Sequence, residues 1–371
     1  MSVLRRKHLY HFEDLESEAA KAMDPHPFSY VQSGAGHEET LQDNTRDFRK
    51  WKIRPKFLND VSKRDLSISI FGETFDTPYF LAPIGNLGIV HPEAELAVAR
   101  AAKRFNLPYI ASTVTTFSLE EIAKELGTNP RWFQLYCSQD RNITQSFIQR
   151  AELAGYTAIV VTIDTPTAGW RTADLSNQYF PLKLGTASGN YFADPVFRSS
   201  LIQPPEKDFD TAIEKQMDVF FSPSFTWEDI QFIQNVTKLP VLLKGILHPI
   251  DAQKAMEYGV DGIVVSNHGG RQLDGCISTI AALPEIIEVI QGKIPVLFDS
   301  GIRKGADAFK ALALGADAVL LGRPYVYGLA VNGEEGVSEV LGHFIQDLDV
   351  SLATAGVASV NSLNRSLLVK V

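Results

Sequence analysis

The sequence predicts a single α/β domain, a (β/α)₈ TIM barrel, and three observations support this prediction. Eight apolar runs between residues 79 and 324 are each followed by a segment with helical periodicity. The runs are continuous instead of alternating, which is typical of parallel strands buried on both faces. Several helical segments end on glycine, at Gly155, Gly259 and Gly315, where a left-handed cap favours that residue. A doubly wound open sheet is the alternative, but no GxGxxG fingerprint follows the first strand.

The strands and helices alternate along the chain with one long interruption. Strands, with the loops that end them, are predicted at 79–84, 107–112, 131–136, 157–164, 239–245, 261–270, 294–301 and 317–324. Helices are predicted at 93–105, 119–126, 143–155, 227–236, 250–259, 278–290, 304–316 and from about residue 335 to the C-terminal region.

Two segments lie outside this alternation. Residues 1–76 form an N-terminal extension of polar helical segments followed by a hairpin at 66–76, and residues 77–371 form the barrel. Residues 165–226 form a long loop after the fourth strand, rich in Gly, Pro and Asn but also in Phe and Tyr. Because long loops in compact domains are usually functional or disordered, we interpret this aromatic-rich loop as a lid over the barrel mouth.

The composition excludes several classes of protein. A formal net charge of −9 argues against nucleic-acid binding, which usually requires a basic patch. No apolar run reaches the ~18 residues of a membrane helix. Two cysteines, Cys137 and Cys276, provide neither a disulfide framework nor a zinc cage, and no metal site is expected. We expect a cytoplasmic protein that acts on small molecules.

Polar residues follow nearly every predicted strand, at the end of the barrel where such enzymes place their chemistry. The stretches after the seventh and eighth strands contain glycines, backbone N–H groups and the cations Arg303 and Arg323, which together predict a phosphate site. Lys244 ends the fifth strand and would stabilise negative charge on a bound ring or carboxylate.

The sixth strand leads into SNHGGRQLDG. A turn requires the glycines of this stretch but not its histidine and arginine. Asp164, which ends the fourth strand, can reach His268, where it would favour the imidazolium and orient a general base. Arg171 and Arg271 suit bidentate capture of a carboxylate.

SNHGGRQLDG resembles the active-site signature of the FMN-dependent L-2-hydroxy acid oxidases and dehydrogenases. The resemblance extends over nearly the whole chain, through YVQSGAG, LAPIG, WFQLY, TIDTP, LLKG, FDSGIR and LGRP in that order. It implies FMN as cofactor and a small L-2-hydroxy acid and O₂ as substrates. It also implies a homo-oligomer, a homotetramer or an octamer.

The resemblance also implies residue roles. His268 would be the base with Asp164 as its partner, Tyr136 would bind the substrate hydroxyl, and Lys244 would stabilise the anionic reduced flavin. Substrate contacts are expected from Tyr30, Tyr136, Arg171, Arg271 and the lid residue Tyr191. The FMN contacts expected are Pro83, Ile84, Gly85, Ser112, Gln134, Thr162, Lys244, Ser266, Asp299, Gly301, Arg303, Gly322 and Arg323.

Local details such as GWR, NYFADPVF, TWEDI and KGILHP resemble the lactate 2-monooxygenase branch of the family. Gly85 does so too, since plain oxidases typically have alanine there. In that branch the retained 2-oxo acid is decarboxylated. An oxidase that releases the 2-oxo acid and H₂O₂ is the alternative.

Three other classes remain as alternatives. They are a non-catalytic FMN barrel, a flavin-type isomerase without the paired arginines, and a phosphate-substrate barrel with Lys244 as a Schiff base.

Overall fold

The structure, a computed structural model, describes residues 9–371. Its strands are β1 (Trp51–Ile53), β2 (Ile68–Ile70), β3 (Glu73–Phe75), β4 (Tyr79–Leu81), β5 (Tyr109–Ala111), β6 (Arg131–Leu135), β7 (Ile159–Thr162), β8 (Val241–Ile246), β9 (Gly262–Val265), β10 (Val296–Phe298), β11 (Ala318–Leu321) and β12 (Leu368–Lys370). Strands β4 to β11 pair in parallel and close into a barrel, with β11 adjacent to β4. The predicted (β/α)₈ barrel is therefore confirmed.

The helices of the extension and of the first half of the barrel are α1 (Phe12–Ala22), α2 (Pro25–Gln32), α3 (Glu39–Arg46), α4 (Ala94–Arg104), α5 (Leu119–Leu126) and α6 (Arg141–Leu153). Those that follow are α7 (Thr172–Asn177), α8 (Gly189–Ala193), α9 (Pro195–Ser199), α10 (Phe209–Phe220), α11 (Trp227–Val236), α12 (Pro249–Glu257), α13 (Thr279–Ile290), α14 (Gly305–Ala313) and α15 (Arg323–Ala355). Glycines at 155, 259 and 315 have φ of 76°, 69° and 110°, as the predicted left-handed caps require.

The predicted hairpin closes the barrel end opposite the strand carboxyl ends. Strands β2 and β3 pair antiparallel, and the two residues between them, Phe71 and Gly72, both have positive φ. This is the type I′ geometry that suits a two-residue hairpin turn. Phe75 of the hairpin packs on Phe80 and Trp132 inside the barrel. The active end of the barrel is thus the other end.

The connection after β7 differs from the loop that the sequence predicts. Residues 165–226 include the four helices α7 to α10 and a short 3₁₀ helix at Pro181–Leu184. Two of these helices are capped by aspartate side chains: Asp194 accepts from the N–H of Phe197, and Asp208 accepts from the N–H of Thr211. About half of this segment is therefore helical.

The last helix starts earlier than predicted. Helix α15 begins at Arg323, directly after β11, instead of near residue 335, and it is interrupted at Asn332 and Gly333. Within residues 9–371, no helix has the length and apolar character to cross a bilayer. The same residues contain no cluster of three or more His, Cys, Asp or Glu side chains that could hold a metal ion.

Candidate active site

The histidine and aspartate that the sequence singles out meet at the carboxyl end of the barrel. Asp164 Oδ1 lies 2.8 Å from His268 Nδ1, although 104 residues separate them. Strand β8 lies between β7 and β9, and its Gly245 makes this approach possible. A Cβ at residue 245, where φ is 118°, would lie 2.8 Å from the Cβ of Asp164.

Opposing effects set the protonation state of this pair. Burial lowers the pKa of His268 below its usual 6.5, and Lys244 and Arg171 add to that effect. Asp164 acts in the opposite direction but does not outweigh them, so the imidazole is neutral near pH 7. Burial alone would raise the pKa of Asp164, yet His268 and Lys244 hold it below its usual value. Asp164 raises the pKa of His268, as expected from the sequence, but burial and the neighbouring cations outweigh it.

The second ring nitrogen of His268 faces the site. With Nδ1 donating to Asp164, Nε2 carries the lone pair, and it lies 3.4 Å from the hydroxyl of Tyr136. Burial raises the pKa of Tyr136 well above its usual 10, so the phenol stays protonated and can donate. A proton acceptor and a hydrogen-bond donor thus face the same point in the cavity.

Two arginines and a tyrosine form the next group. Arg271 lies over the ring of Tyr30, with 4.7 Å from its guanidinium carbon to the ring centroid. Arg171 donates to the hydroxyl of Tyr30 at 3.5 Å. Burial lowers the pKa of Arg271 to about 10, which still leaves it charged at neutral pH. These three side chains can hold a carboxylate.

Lys244 is buried between two oxygen acceptors. Its Nζ donates to Ser266 Oγ at 2.8 Å and lies 3.1 Å from Asp299 Oδ2. Burial lowers the pKa of Lys244, but Asp299 and Asp164 more than offset this and raise it above its usual value. The ammonium is therefore a fixed positive charge beside the cavity.

Within residues 9–371, the two predicted phosphate-binding arginines donate to backbone carbonyls and not to carboxylates. Arg323 donates to the backbone carbonyls of Val31, Ser33 and Gly269. The Nε of Arg303 is buried and has no hydrogen-bond partner in residues 9–371. Within that range no carboxylate forms an ion pair with either guanidinium. Burial lowers the pKa of both, that of Arg323 to about 10, and a bound anion would offset this cost of their charge.

A single cavity of about 320 Å³ connects these groups. This volume is within the ~300–1,000 Å³ of ligand pockets. The predicted residues on its wall are Tyr30, Pro83, Ile84, Gly85, Tyr136, Arg171, Lys244, His268, Arg271, Asp299, Gly301, Arg303, Gly322 and Arg323. Five predicted residues lie behind the wall, namely Ser112, Gln134, Thr162, Asp164 and Ser266.

The residues behind the wall form short hydrogen-bonded chains. Ser112 Oγ donates to Gln134 Oε1 at 3.0 Å, and Gln134 Nε2 donates to Thr162 Oγ1 at 2.9 Å. Ser266 accepts from Lys244 and from the N–H of His268. These buried polar groups fix the orientation of the wall residues beside them.

Tyr191 does not reach the cavity, so the prediction that it contacts the substrate is wrong. Its side chain is fully buried, with its ring packed edge-on against Phe147 of α6 and Phe197 of α9. Helix α8 turns this tyrosine toward the outer helices because two aromatic rings offer it a packing site there.

The geometry agrees with what comparisons with known proteins show. Residues 19–370 match the sequence model of the FMN-dependent dehydrogenase family. The chain belongs to this family. It is 50% identical to an L-lactate oxidase of Lysinibacillus sphaericus (strain C3-41) over 359 residues, 97% of this chain and 92% of the relative. It is 39% identical to 2-hydroxyacid oxidase 1 of Homo sapiens, covering 96% of this chain and 95% of the relative.

A solved structure shows the same fold. It is that of a soluble mutant of the membrane-associated (S)-mandelate dehydrogenase from Pseudomonas putida, with a TM-score of 0.88 and 35% identity over 98% of this chain and 100% of that chain. The family resemblance seen in the motifs is confirmed, and the cofactor of the chain is FMN.

The described residues fit FMN as a member of this family would require. The orphaned Nε of Arg303 and the unpaired charge of Arg323 match a phosphate dianion at one end of the cavity. The ammonium of Lys244 and the apolar walls at Pro83 and Ile84 lie further along the same cavity and suit a ring that accepts negative charge.

Sequence reasoning missed several residues of this site. Thr165 donates to Asp164 Oδ1 at 2.9 Å, and Gln272 accepts from Arg171 at 3.1 Å. Thr165 lies in the motif TIDTP and Gln272 in SNHGGRQLDG, so their place in these motifs could have identified them from the sequence. Asp174 and Phe220 line the cavity from the lid, where no motif singled them out.

Proposed function

We propose that the chain oxidises a small aliphatic L-2-hydroxy acid, L-lactate above all, to the 2-oxo acid with O₂ as acceptor and H₂O₂ as product. The observation that carries this proposal is the convergence of His268, Tyr136, Arg171 and Arg271 on one cavity. A 2-hydroxy acid presents one carboxylate and one adjacent hydroxyl, which this set of donors and bases matches. Relatives named L-lactate oxidase and 2-hydroxyacid oxidase support the substrate class.

The residues would act in distinct ways. Arg171, Arg271 and Tyr30 bind the carboxylate and orient the substrate, which places its hydroxyl near Tyr136. His268 Nε2 takes the hydroxyl proton, and the imidazolium that forms is stabilised by Asp164 at 2.8 Å. Bound FMN supplies the acceptor for the α-hydrogen and its two electrons.

Oxidative decarboxylation of a retained 2-oxo acid, giving acetate, CO₂ and H₂O from L-lactate, is the second candidate. The observation that favours it is the cover that helix α10 provides, because Phe220 packs edge-on against Tyr136 at 5.2 Å between ring centroids. Gly85 is weaker support, since a Cβ there would lie 2.5 Å from Val114 Cγ2. Packing against Val114 is therefore a sufficient reason for glycine at that position.

The test uses the purified FMN-loaded protein. Anaerobic L-lactate should bleach the flavin absorbance, D-lactate should not, and His268→Gln should hold FMN without bleaching. Air is then admitted and products are measured: pyruvate with equimolar H₂O₂ supports the oxidase, and acetate with CO₂ supports decarboxylation. Absence of bleaching by a panel of L-2-hydroxy acids would overturn the proposal.

The lid surface supports a homo-oligomer, the tetramer or octamer that the resemblance implies. Several large apolar side chains of the lid are exposed, among them Trp170, Leu175, Phe180, Leu184 and Phe209. Exposed apolar patches of this kind often mark protein interfaces. Light scattering on the eluting protein tests this, and a monomer would contradict it. The cytoplasmic location stays a prediction.

A further inference from the structure

The backbone at the histidine has an unusual conformation that needs restraint. His268, Gly269 and Gly270 have consecutive φ angles of 58°, 66° and 77°. Glycine adopts this left-handed region freely, but a side-chain-bearing residue there costs of order 1 kcal/mol or more. The turn persists only if its surroundings hold it.

Three side chains hold the three N–H groups of this turn. Ser266 accepts from His268, Ser300 accepts from Gly269, and Asn267 Oδ1 accepts from Gly270 at 3.1 Å. Ser266 and Ser300 belong to the barrel. Besides donating to the carbonyl of Ile277 at 3.3 Å, the Asn267 amide pairs with a residue outside the barrel.

That residue is Asn44 of helix α3, in the N-terminal extension, 223 positions away in sequence. Its Nδ2 donates to Asn267 Oδ1 at 2.8 Å, and Asn267 Nδ2 donates back to Asn44 Oδ1 at 2.7 Å. Both side chains are buried, at 1% and 4% exposure. Reversing one amide would oppose two like groups, and reversing both would turn amide nitrogens toward the N–H groups of Gly270 and Thr279.

The barrel is shaped to admit this helix. A Cβ at Gly301, in the loop after β10, would lie 2.0 Å from the backbone oxygen of Asn44. The N–H of Thr279 also points at Asn44 Oδ1, at 3.4 Å. Two further segments of the barrel thus approach Asn44, one at its backbone and one at its side chain, and Asn44 does not line the cavity.

We propose that Asn44 is a positioning residue for His268, acting through Asn267. Its amide fixes the amide of Asn267, which holds the left-handed turn, and the turn aims Nε2 at the substrate. Aspartate at position 44 keeps the shape but opposes a carboxylate oxygen to Asn267 Oδ1. If Asn267 then reverses its amide, the N–H of Gly270 loses its side-chain acceptor and keeps only the backbone carbonyl of Asn267, at 3.0 Å. The proposal rests on the proposed function, since its readout is oxidation of L-lactate.

The experiment compares Asn44→Asp with a matched control, Asn129→Asp. Asn129 is also buried, and its Nδ2 donates to the carbonyl of Leu107 at 2.7 Å, beside the amino-terminal ends of β5 and β6. The rate of anaerobic flavin bleaching at saturating L-lactate is measured per bound FMN, together with the isotope effect on kcat with [2-²H]-L-lactate.

We expect Asn44→Asp to slow bleaching about 10- to 100-fold, the effect of a displacement near 1 Å. The isotope effect should rise because the chemical step becomes more rate-limiting. Asn129→Asp should stay within about two-fold of the wild type on both measures. If Asn44→Asp does not retain FMN, Asn44→Ala replaces it with the same expectations.

An unchanged rate per flavin in the Asn44 variant, or equal slowing in the Asn129 variant, would overturn the inference. If no L-2-hydroxy acid bleaches the wild-type flavin, the proposed function fails as well. The two failures are thereby distinguished, because the first requires an active wild type.

Discussion

Replacing Asp164 with asparagine tests whether its charge, as distinct from its shape, supports His268. Asparagine can keep an oxygen 2.8 Å from Nδ1 and so preserve the tautomer. Its amide nitrogen would take the place of Oδ2, which is buried and has no hydrogen-bond partner in residues 9–371. The substitution therefore removes the negative charge with little change in volume.

The magnitude follows from the pair's geometry. Two unit charges about 4 Å apart attract by about 4 kcal/mol at an effective dielectric constant near 20. The imidazolium that forms as the substrate loses its proton would lose this attraction. At about 1.4 kcal/mol for each factor of ten, the oxidation step should slow by roughly 100- to 1,000-fold. This lies within the ~10²–10⁴ range of general-base catalysis.

The same change has a predictable effect on the pH profile. Asp164 raises the pKa of His268, against burial and the neighbouring cations. Its loss should lower that pKa further, so the acid limb of the rate profile should move to lower pH while the maximum falls. Stopped-flow bleaching by L-lactate between about pH 5 and 8 measures both effects.

Thr165→Val is the matched control, because it removes a hydroxyl that donates to the same carboxylate oxygen but leaves the charge. We expect less than about a five-fold loss from it. If Asp164→Asn slowed bleaching by less than ten-fold, or moved the acid limb upward, charge stabilisation of the imidazolium would be refuted.

Three further predictions concern the lid and the buried carboxylate of α4. Phe220→Ala should enlarge the cavity beside Tyr136 and increase kcat/KM for L-mandelate relative to L-lactate at least ten-fold. It should also lower the unfolding free energy by about 3 kcal/mol. An unchanged ratio of the two kcat/KM values would show that Phe220 does not limit substrate size. Tyr191→Phe should leave KM for L-lactate within two-fold, since the ring is buried away from the cavity, and a five-fold rise would return it to the substrate site. Burial raises the pKa of Glu95 to about 7, so this group destabilises the wild type by about 2–3 kcal/mol as pH rises from 5 to 8. Urea unfolding of Glu95→Gln at both pH values should lack that loss. The assignment would be contradicted if the unfolding free energy of the variant fell between pH 5 and 8 as much as that of the wild type.

Much of the site followed from the sequence because parallel strands of a barrel all end at one rim. A polar residue directly after any strand therefore lies near those of the other strands, however distant in the chain. Asp164 and His268 meet for this reason, and Arg303 and Arg323 lie together at the ends of neighbouring strands. Only strand ends had to be located, which short apolar runs allow.

The lid could not be predicted in the same way. Which face of a short helix turns inward depends on the tertiary partner it meets, and α8 has five residues. Tyr191 turned toward Phe147, while Phe220, from the end of α10, reached the cavity. The many Phe and Tyr residues of this segment indicated that it covers the barrel mouth, but not which of their rings contacts the cavity.

The start of the last helix was predicted about 12 residues too late. Gly328 and Gly336 lie inside α15, where two backbone segments approach closely. A Cβ at Gly336 would lie 2.0 Å from the backbone oxygen of Gly328. In this helix glycine marks contact across the interruption at Asn332 and Gly333 instead of an end.

The unpaired guanidiniums of Arg303 and Arg323 have a consequence for the life of the protein. Two positive charges that repel each other beside the cavity favour unfolding of the empty chain, and the FMN phosphate reverses that preference. Ligand at 100 times its Kd adds about 2.7 kcal/mol to stability. The supply of FMN should therefore determine how long newly made chains survive proteolysis. The melting temperature should rise with the logarithm of the free FMN concentration.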